Sequence, residues 1–376
     1  KDNCCIGGWE IDIDDETYER YNNMTGELKH KILDSITQNE DEEYCFKLCD
    51  GKCPMLDDNG LCEIHKNLGE DYLGVVCKQF PRYSEYYGTI KESGIGLACE
   101  EAARIILSEN RPFSMETAAC DEEYEPSSEY DSSFALQIFA AREAVFKILA
   151  KESLSIHEKL IVILDMGSKI QQCINTDEYD NIKSVVNDYL KEGIAHTLDE
   201  TRNLSDSGQF EDISLQQGIR QILYPYEEME VLNPEWEVIL KDIIDSLFEQ
   251  MSDEEYNILN EEFGTYMVSR AYEYRQLLEY LVFRYFAKSI YDYDFLGKCQ
   301  MLVTNFFVIR QMDIIRWLDN HREYSFKDRM DVVHIFSRQV EYSEDNIENL
   351  YEDFIFDDIF KTDSLIAILW IDSENI

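Results

Sequence analysis

Residues 134–149, FALQIFAAREAVFKIL, decide the fold class. Phe134, Ile138, Ala141, Val145 and Leu149 recur at intervals of three and four, which places them on one face of a helix. The spacing predicts a long amphipathic helix with its apolar stripe against a core. The same period continues almost to the C-terminus. After Pro126, proline appears only at 225 and 234, so long helices are permitted. Ser155 with Glu158, and Ser252 with Glu255, have the spacing of capping boxes, in which each side chain satisfies a backbone N–H left free in the first turn. NLSDSGQFED (203–212) reads as a loop between helix groups. No repeat of fixed period is present.

Upstream the pattern changes. DEEYEPSSEYD (121–131) carries Pro126, two serines and six carboxylates without an apolar period, which marks a linker. WEIDID alternates Trp9, Ile11 and Ile13 with acids, the period of a half-buried strand. YSEYYGTI and GIGLA, around Gly88 and Gly94, read as two more strands or an extended hairpin; KNLGEDYLGVVC reads as a short helix, and CEEAARIILSE as a helix starting near Cys99. The GIG at 94–96 is a bend, since a lone GxG is a poor nucleotide-binding signal. The expected fold is mainly α: an N-terminal cysteine-rich α+β metal-binding domain over 1–120, then an all-α helical domain over 132–376. A chain of 376 residues, 44% hydrophobic, has the length for two domains and the apolar content for a sizeable core.

Asp plus Glu outnumber Lys plus Arg by 78 to 34, a formal charge of -44. That field repels phosphate backbones and anionic headgroups, which argues against nucleic acid and membrane partners and favours a lysine-bearing protein. Much of it serves solubility. No run approaches the ~20 apolar residues of a membrane-spanning helix. The chain starts at Lys1 without a basic-then-apolar leader, and the expectation is a cytoplasmic protein.

Eleven cysteines are unevenly spread: Cys4, Cys5, Cys45, Cys49, Cys53, Cys62, Cys77, Cys99 and Cys120 fall in the first 120 residues. Cys173 and Cys299 remain, as small buried hydrophobes. In a reducing compartment such density points to metal ahead of disulfides. In CPMLDDNGLC the Asp57-Asp58-Asn59-Gly60 piece is turn chemistry that brings Cys53 beside Cys62. Cys77 follows the short helix, and a helix N-terminus at Cys99 favours its thiolate. Adjacent Cys4 and Cys5 cannot easily both face one centre, so one of them joins the set. The candidate metal ligands are Cys5, Cys53, Cys62, Cys77 and Cys99. Paired C-x2-C knuckles are missing, and scattered thiolates suit a [4Fe–4S] cluster; the C-x2-H of Cys62 and His65 keeps zinc open. Cys45, Cys49 and Cys53 are spaced C-x3-C-x3-C, one residue longer than the radical S-adenosylmethionine loop, and no alternating barrel follows.

CCIGGWEIDID, CPMLDDNGLCEIHKNLGEDYLGVVCKQFPR and GLACEEAARIIL together resemble the cysteine-rich region of the bacterial flagellin lysine-N-methylase family, with weaker similarity in YLVFRYF (280–286) and FSRQVEYSEDN (336–346). The resemblance implies transfer of methyl groups from S-adenosylmethionine to lysines of flagellin, with the cysteines holding an iron–sulfur or other metal centre. Ala98-Cys99-Glu100 stands where Ser-Cys-Pro is common in that family.

In the helical part, Tyr280 and Arg284 share a face, next to Tyr285, and Arg338 and Glu341 form an i, i+3 pair. As functional groups, Tyr285 and Arg284 are candidate catalytic residues, and Arg338 and Glu341 candidates for binding the methyl donor. The competing reading is a structural ion pair between packed helices. His157, His196, His321 and His334 stand alone on helices and are read as surface or core residues. A structural role for the metal is the economical one, because a small irregular domain gains stability from it. Two other classes remain open: a non-catalytic metal-bearing adaptor for a basic partner, and an iron–sulfur electron-transfer protein.

Overall fold

The computed structural model describes residues 5, 6, 9, 11–39, 42–119, 131–206 and 213–374. The 121–131 linker expected from the sequence lies outside them except for Asp131, as do Cys4 and Cys120. The chain is mainly α. Its first part holds α1 (Asp15–Asn23), α2 (Glu27–Asp34), β1 (Ile36–Gln38), β2 (Tyr44–Phe46), α3 (Glu63–Leu68), α4 (Val75–Gln79), β3 (Arg82–Tyr87), β4 (Ile90–Ile95) and α5 (Glu100–Leu107). The rest is helical: α6 (Ser132–Leu149), α7 (Ile156–Asn175), α8 (Ile182–Asp188), α9 (Ile194–Asp206), α10 (Leu215–Glu227), α11 (Pro234–Ile243), α12 (Asp253–Met267), α13 (Ala271–Tyr285), α14 (Ser289–Asp292), α15 (Phe295–Asp319), α16 (Phe326–Val340), α17 (Glu344–Phe356) and α18 (Thr362–Glu374).

Two clusters of buried side chains organise these elements. The smaller gathers Ile11, Ile13, Tyr21, Met24, Ile32, Phe46, Cys53, Met55 and Ile64. The alternation in WEIDID holds, with Ile11 and Ile13 buried and Asp12 exposed. Yet the segment is an extended piece beside β2 and not a laddered strand: Asp12 bridges Cys45, Ile13 N donates to Tyr44 O at 2.8 Å, and Phe46 N donates to Ile11 O at 3.0 Å. Asp14 ends it by capping α1 and accepting from Val75 N at 3.0 Å, so one carboxylate ties α1 to α4. The helix expected over KNLGEDYLGVVC is broken: Gly69 sits at φ +86°, and the chain passes through a 3-10 turn before α4 begins after Gly74. The second hairpin is longer and earlier than expected, because Tyr87 already pairs with Ile90 and the register runs to Arg82 with Ile95.

The larger cluster is built around α15, whose side chains are buried around nearly its whole circumference. Its buried charges are matched. Asp313 accepts from Tyr274 Oη at 2.6 Å and Arg329 Nη1 at 2.5 Å, and Arg310 donates to Asn260 Oδ1 at 2.9 Å. Pairing of this kind is the condition for burying charge. His157 is likewise a core residue, with Nε2 2.6 Å from Asp372, whereas His321 lies in the turn after α15 and not on a helix. Phe134, Ile138, Ala141, Val145 and Leu149 are all buried, and both expected capping boxes are formed. A third, Ser325 with Asp328, starts α16. α9 runs through Asp206, so the first part of the expected 203–212 loop is helical, and 207–212 lie outside the described residues. Tyr87, Leu97, Ala103 and Leu107 belong to the large cluster, so the β3–β4 hairpin and α5 pack on the helices. Arg142 of α6 reinforces this with a two-pronged ion pair to Glu92 of β4.

α7 and α15 approach so closely at Gly167 that a Cβ there would lie 2.5 Å from Cys299 Sγ. Gly167→Ala is therefore expected to destabilise the protein by about 1–3 kcal/mol through overpacking. Cys299→Ala in the same chain should recover most of that loss. A urea-unfolding double-mutant cycle checks the coupling.

Candidate functional site

The turn chemistry of residues 57–60 does what its sequence requires. Asp57 Oδ1 accepts from Asn59 N at 2.9 Å and Leu61 N at 3.0 Å, Gly60 adopts φ +71°, and Glu63 N returns to Met55 O at 2.8 Å. Cys53 and Cys62 then face one another across a cavity of about 210 Å³. Cys5 joins them, held by the bond from Cys53 N to Cys5 O at 2.7 Å, and α4 brings Cys77. Four of the five candidate cysteines thus line one mostly apolar void, with His65, Trp9 and Phe80 also at its wall. A hydrogen bond from Cys5 pulls the Cys53 thiol below its ordinary range, although burial opposes it. Cys99 does not line the void; it precedes α5, within electrostatic reach of Tyr342. Among the described residues, no three His, Cys, Asp or Glu side chains are grouped to hold a single metal ion. Cys45 is buried on β2, Cys49 is exposed, and Cys299 is buried in the helical part.

An aromatic wall stands on the helical side of this void. Trp9 stacks on Tyr342 with centroids 5.6 Å apart and planes 18° apart, and Phe80 lies 5.7 Å from Trp9 and 6.2 Å from Tyr342. Arg338 rests its guanidinium 4.9 Å from the Trp9 ring centroid, a cation–π contact. Behind Tyr342 is a buried polar cluster. Arg284 Nε is 3.0 Å from Glu341 Oε2, the same oxygen that accepts from Tyr280 Oη at 2.8 Å and Tyr285 Oη at 3.0 Å. Arg284 also donates to both hydroxyls, at 3.2 and 3.0 Å, and covers the Tyr83 ring at 4.5 Å. Gly96 packs closely here, since a Cβ would meet Tyr342 Oη at 3.0 Å and Arg284 Nη1 at 3.4 Å. Burial, and then the Glu341 carboxylate, push the Tyr280 and Tyr285 hydroxyls well above their ordinary range. Both stay neutral donors at physiological pH.

Tyr285, Arg284 and Glu341 are therefore brought together, and the expected Arg338–Glu341 pairing gives way to two separate engagements. Glu341 turns from the end of α16 toward α13, where Arg284 and two hydroxyls engage its Oε2, while Oε1 is buried without a hydrogen-bond partner. Arg338 turns toward Trp9. Tyr342, Trp9 and Phe80 carry no local sequence signal of a shared role, because Tyr342 meets the other two across more than two hundred residues. Two clefts, of about 330 and 680 Å³, adjoin the cluster between α13, the β3–β4 hairpin and residues 111–119, and share Phe113 and Phe283.

A family model described as the FliB lysine N-methylase C-terminal domain matches residues 142–368, a span that holds Arg284, Tyr285, Arg338 and Glu341 but not the N-terminal cysteines. The chain is similar to a lysine-N-methylase of Salmonella typhimurium, 31% identical over 115 residues that make 29% of this chain and 28% of that protein. It is also similar to the flagellar biosynthetic protein FliU of Salmonella muenchen, 32% identical over 114 residues, 29% of this chain and 67% of that protein. The match thus spans little more than a quarter of the lysine-N-methylase. No solved structure matches.

Glu341→Gln keeps the shape of the cluster but leaves the Arg284 charge buried without its counter-ion. The expected loss is about 3–5 kcal/mol of stability. Tyr285→Phe, which removes one of several donors, should cost about 1 kcal/mol. Equilibrium unfolding in urea distinguishes the two.

Proposed function

The chain belongs to the FliB lysine N-methylase family, and from that premise we propose that it methylates lysine side chains of flagellin with S-adenosylmethionine as donor. Besides the family, the observation that carries this reading is the meeting of two candidate groups, the cysteine-lined void and the Arg284–Glu341 cluster, on opposite sides of one aromatic wall. The formal charge of -44 favours encounter with a lysine-bearing partner.

Lysine has a reference pKa near 10.4, so at neutral pH almost none of it carries the lone pair that attack requires. The site must desolvate and deprotonate the amine. S-adenosylmethionine, when bound, supplies a sulfonium methyl: the amine lone pair forms the N–C bond as the C–S pair passes to sulfur, and one proton leaves nitrogen. Arg284, Tyr280 and Tyr285 serve by orientation, fixing Glu341 and the Tyr342 face. Arg338, on Trp9, is the residue proposed to meet a donor carboxylate, and the aromatic wall suits a sulfonium by cation–π attraction.

The donor set of the void fits an inorganic centre. Cys5, Cys53, Cys62 and Cys77 would hold it, and thiols distributed around a space, not converged on a point, favour a [4Fe–4S] cluster over one zinc ion. Its contribution would be to cross-link the small N-terminal core. Cys99 is left outside this proposed set.

The test is anaerobic incubation with flagellin and isotopically labelled donor, read by mass spectrometry of lysine peptides. Label on flagellin lysines is expected; none with folded, metal-replete protein refutes the enzymatic reading. Iron content provides the accompanying prediction. Cys53→Ser, Cys62→Ser and Cys77→Ser should each lose most bound iron and melt earlier, while Cys99→Ser and Cys173→Ser retain it.

A further inference from the structure

We propose that the cleft of about 330 Å³ between α13, the β3–β4 hairpin and residues 111–116 receives the ammonium end of the substrate lysine. The inference rests on the methylase reading and adds the place where the amine binds.

Its polar wall sets the acceptors of Gln276, Glu279 and Glu116 beside the donors of Arg111 and Ser114. Gln276, 4% exposed, lines the cleft, and its Oε1 is buried without a partner. Its amide orientation is fixed, because Nε2 donates to the Glu109 carbonyl and a flip would set two acceptors against each other. A buried acceptor left alone costs free energy, which a donor brought by a ligand would restore. One turn along, Glu279 is 3% exposed and gives Oε1 to Arg275 Nη1 at 2.7 Å, leaving Oε2 as a second acceptor. Tyr83, Phe113 and Phe283, whose ring faces carry negative potential, also line it, and the apolar Ile95 and Ile106 suit a methylene stem. Two carboxylates, Glu279 and Glu116, outnumber the single cation of the lining, Arg111, which disfavours an anion here. A primary ammonium supplies three donors and a compact charge to these acceptors. Tyr280 lines the same cleft and bonds to Glu341, which joins the proposed amine site to the cluster behind Tyr342.

The experiment compares wild type with Glu279→Gln, Gln276→Leu and Phe113→Ala, the last being off the helix so that a folded variant remains if α13 tolerates no change. Three quantities are read: the KM for flagellin, inhibition by n-butylamine, and calorimetric binding of S-adenosylhomocysteine. The inference expects each variant to raise the KM and weaken n-butylamine inhibition, about ten- to a hundred-fold for Glu279→Gln, with S-adenosylhomocysteine binding unchanged. Unchanged KM and unchanged n-butylamine inhibition in folded variants overturn it. So does a loss of S-adenosylhomocysteine binding, which would assign the cleft to the donor. Failure of wild type to methylate flagellin sinks the methylase reading instead, and calorimetry of n-butylamine on wild type and Glu279→Gln then still decides whether the cleft takes an amine.

Discussion

The buried contact between Arg284 and Glu341 is the constraint on which the arrangement rests. It fixes the end of α13 to the end of α16, and the hydroxyls of Tyr280 and Tyr285 on the same carboxylate oxygen help make a charge tolerable at that depth. Because Arg284 also covers Tyr83, the β3–β4 hairpin is seated by the same cation. Tyr342 follows Glu341 directly, so the orientation of the carboxylate also positions the ring that meets Trp9. A single ion pair therefore couples the helical core, the hairpin and the edge of the cysteine-rich part.

The helical half was legible because its signals are local. A stripe at helical spacing and a Ser followed three residues later by Glu both describe interactions within one or two turns, and the structure keeps them. The first part was harder to read. WEIDID had the correct alternation, but whether an extended segment becomes a laddered strand depends on a partner, and β2 is only three residues long. KNLGEDYLGVVC read as one helix because its apolar content outweighed two glycines that in fact divide it.

The site was legible by residue type and not by pairing. Spacing put Arg338 and Glu341 within reach of each other on one helix, yet each found a better partner on another element: an aromatic face for one, a guanidinium and two hydroxyls for the other. Such competition involves residues more than three hundred positions apart and leaves no periodic trace. Glu279 did have a local signal, its i, i+4 relation to Arg275, but nothing in the sequence distinguished a buried pair from a solvated one. The unsatisfied oxygen of Gln276 is visible only once the fold has committed its nitrogen elsewhere.

The four sulfurs of the void are not equally sheltered. Cys53 is buried, Cys5 and Cys62 are half-buried, and Cys77, on the five-residue α4, is exposed. An electrophile or peroxide diffusing in from solvent meets Cys77 first and Cys53 last, although a hydrogen bond from Cys5 pulls the Cys53 thiol below its ordinary range. Chemical damage would begin at the rim of the void and leave the deepest thiol as the last to be alkylated or oxidised.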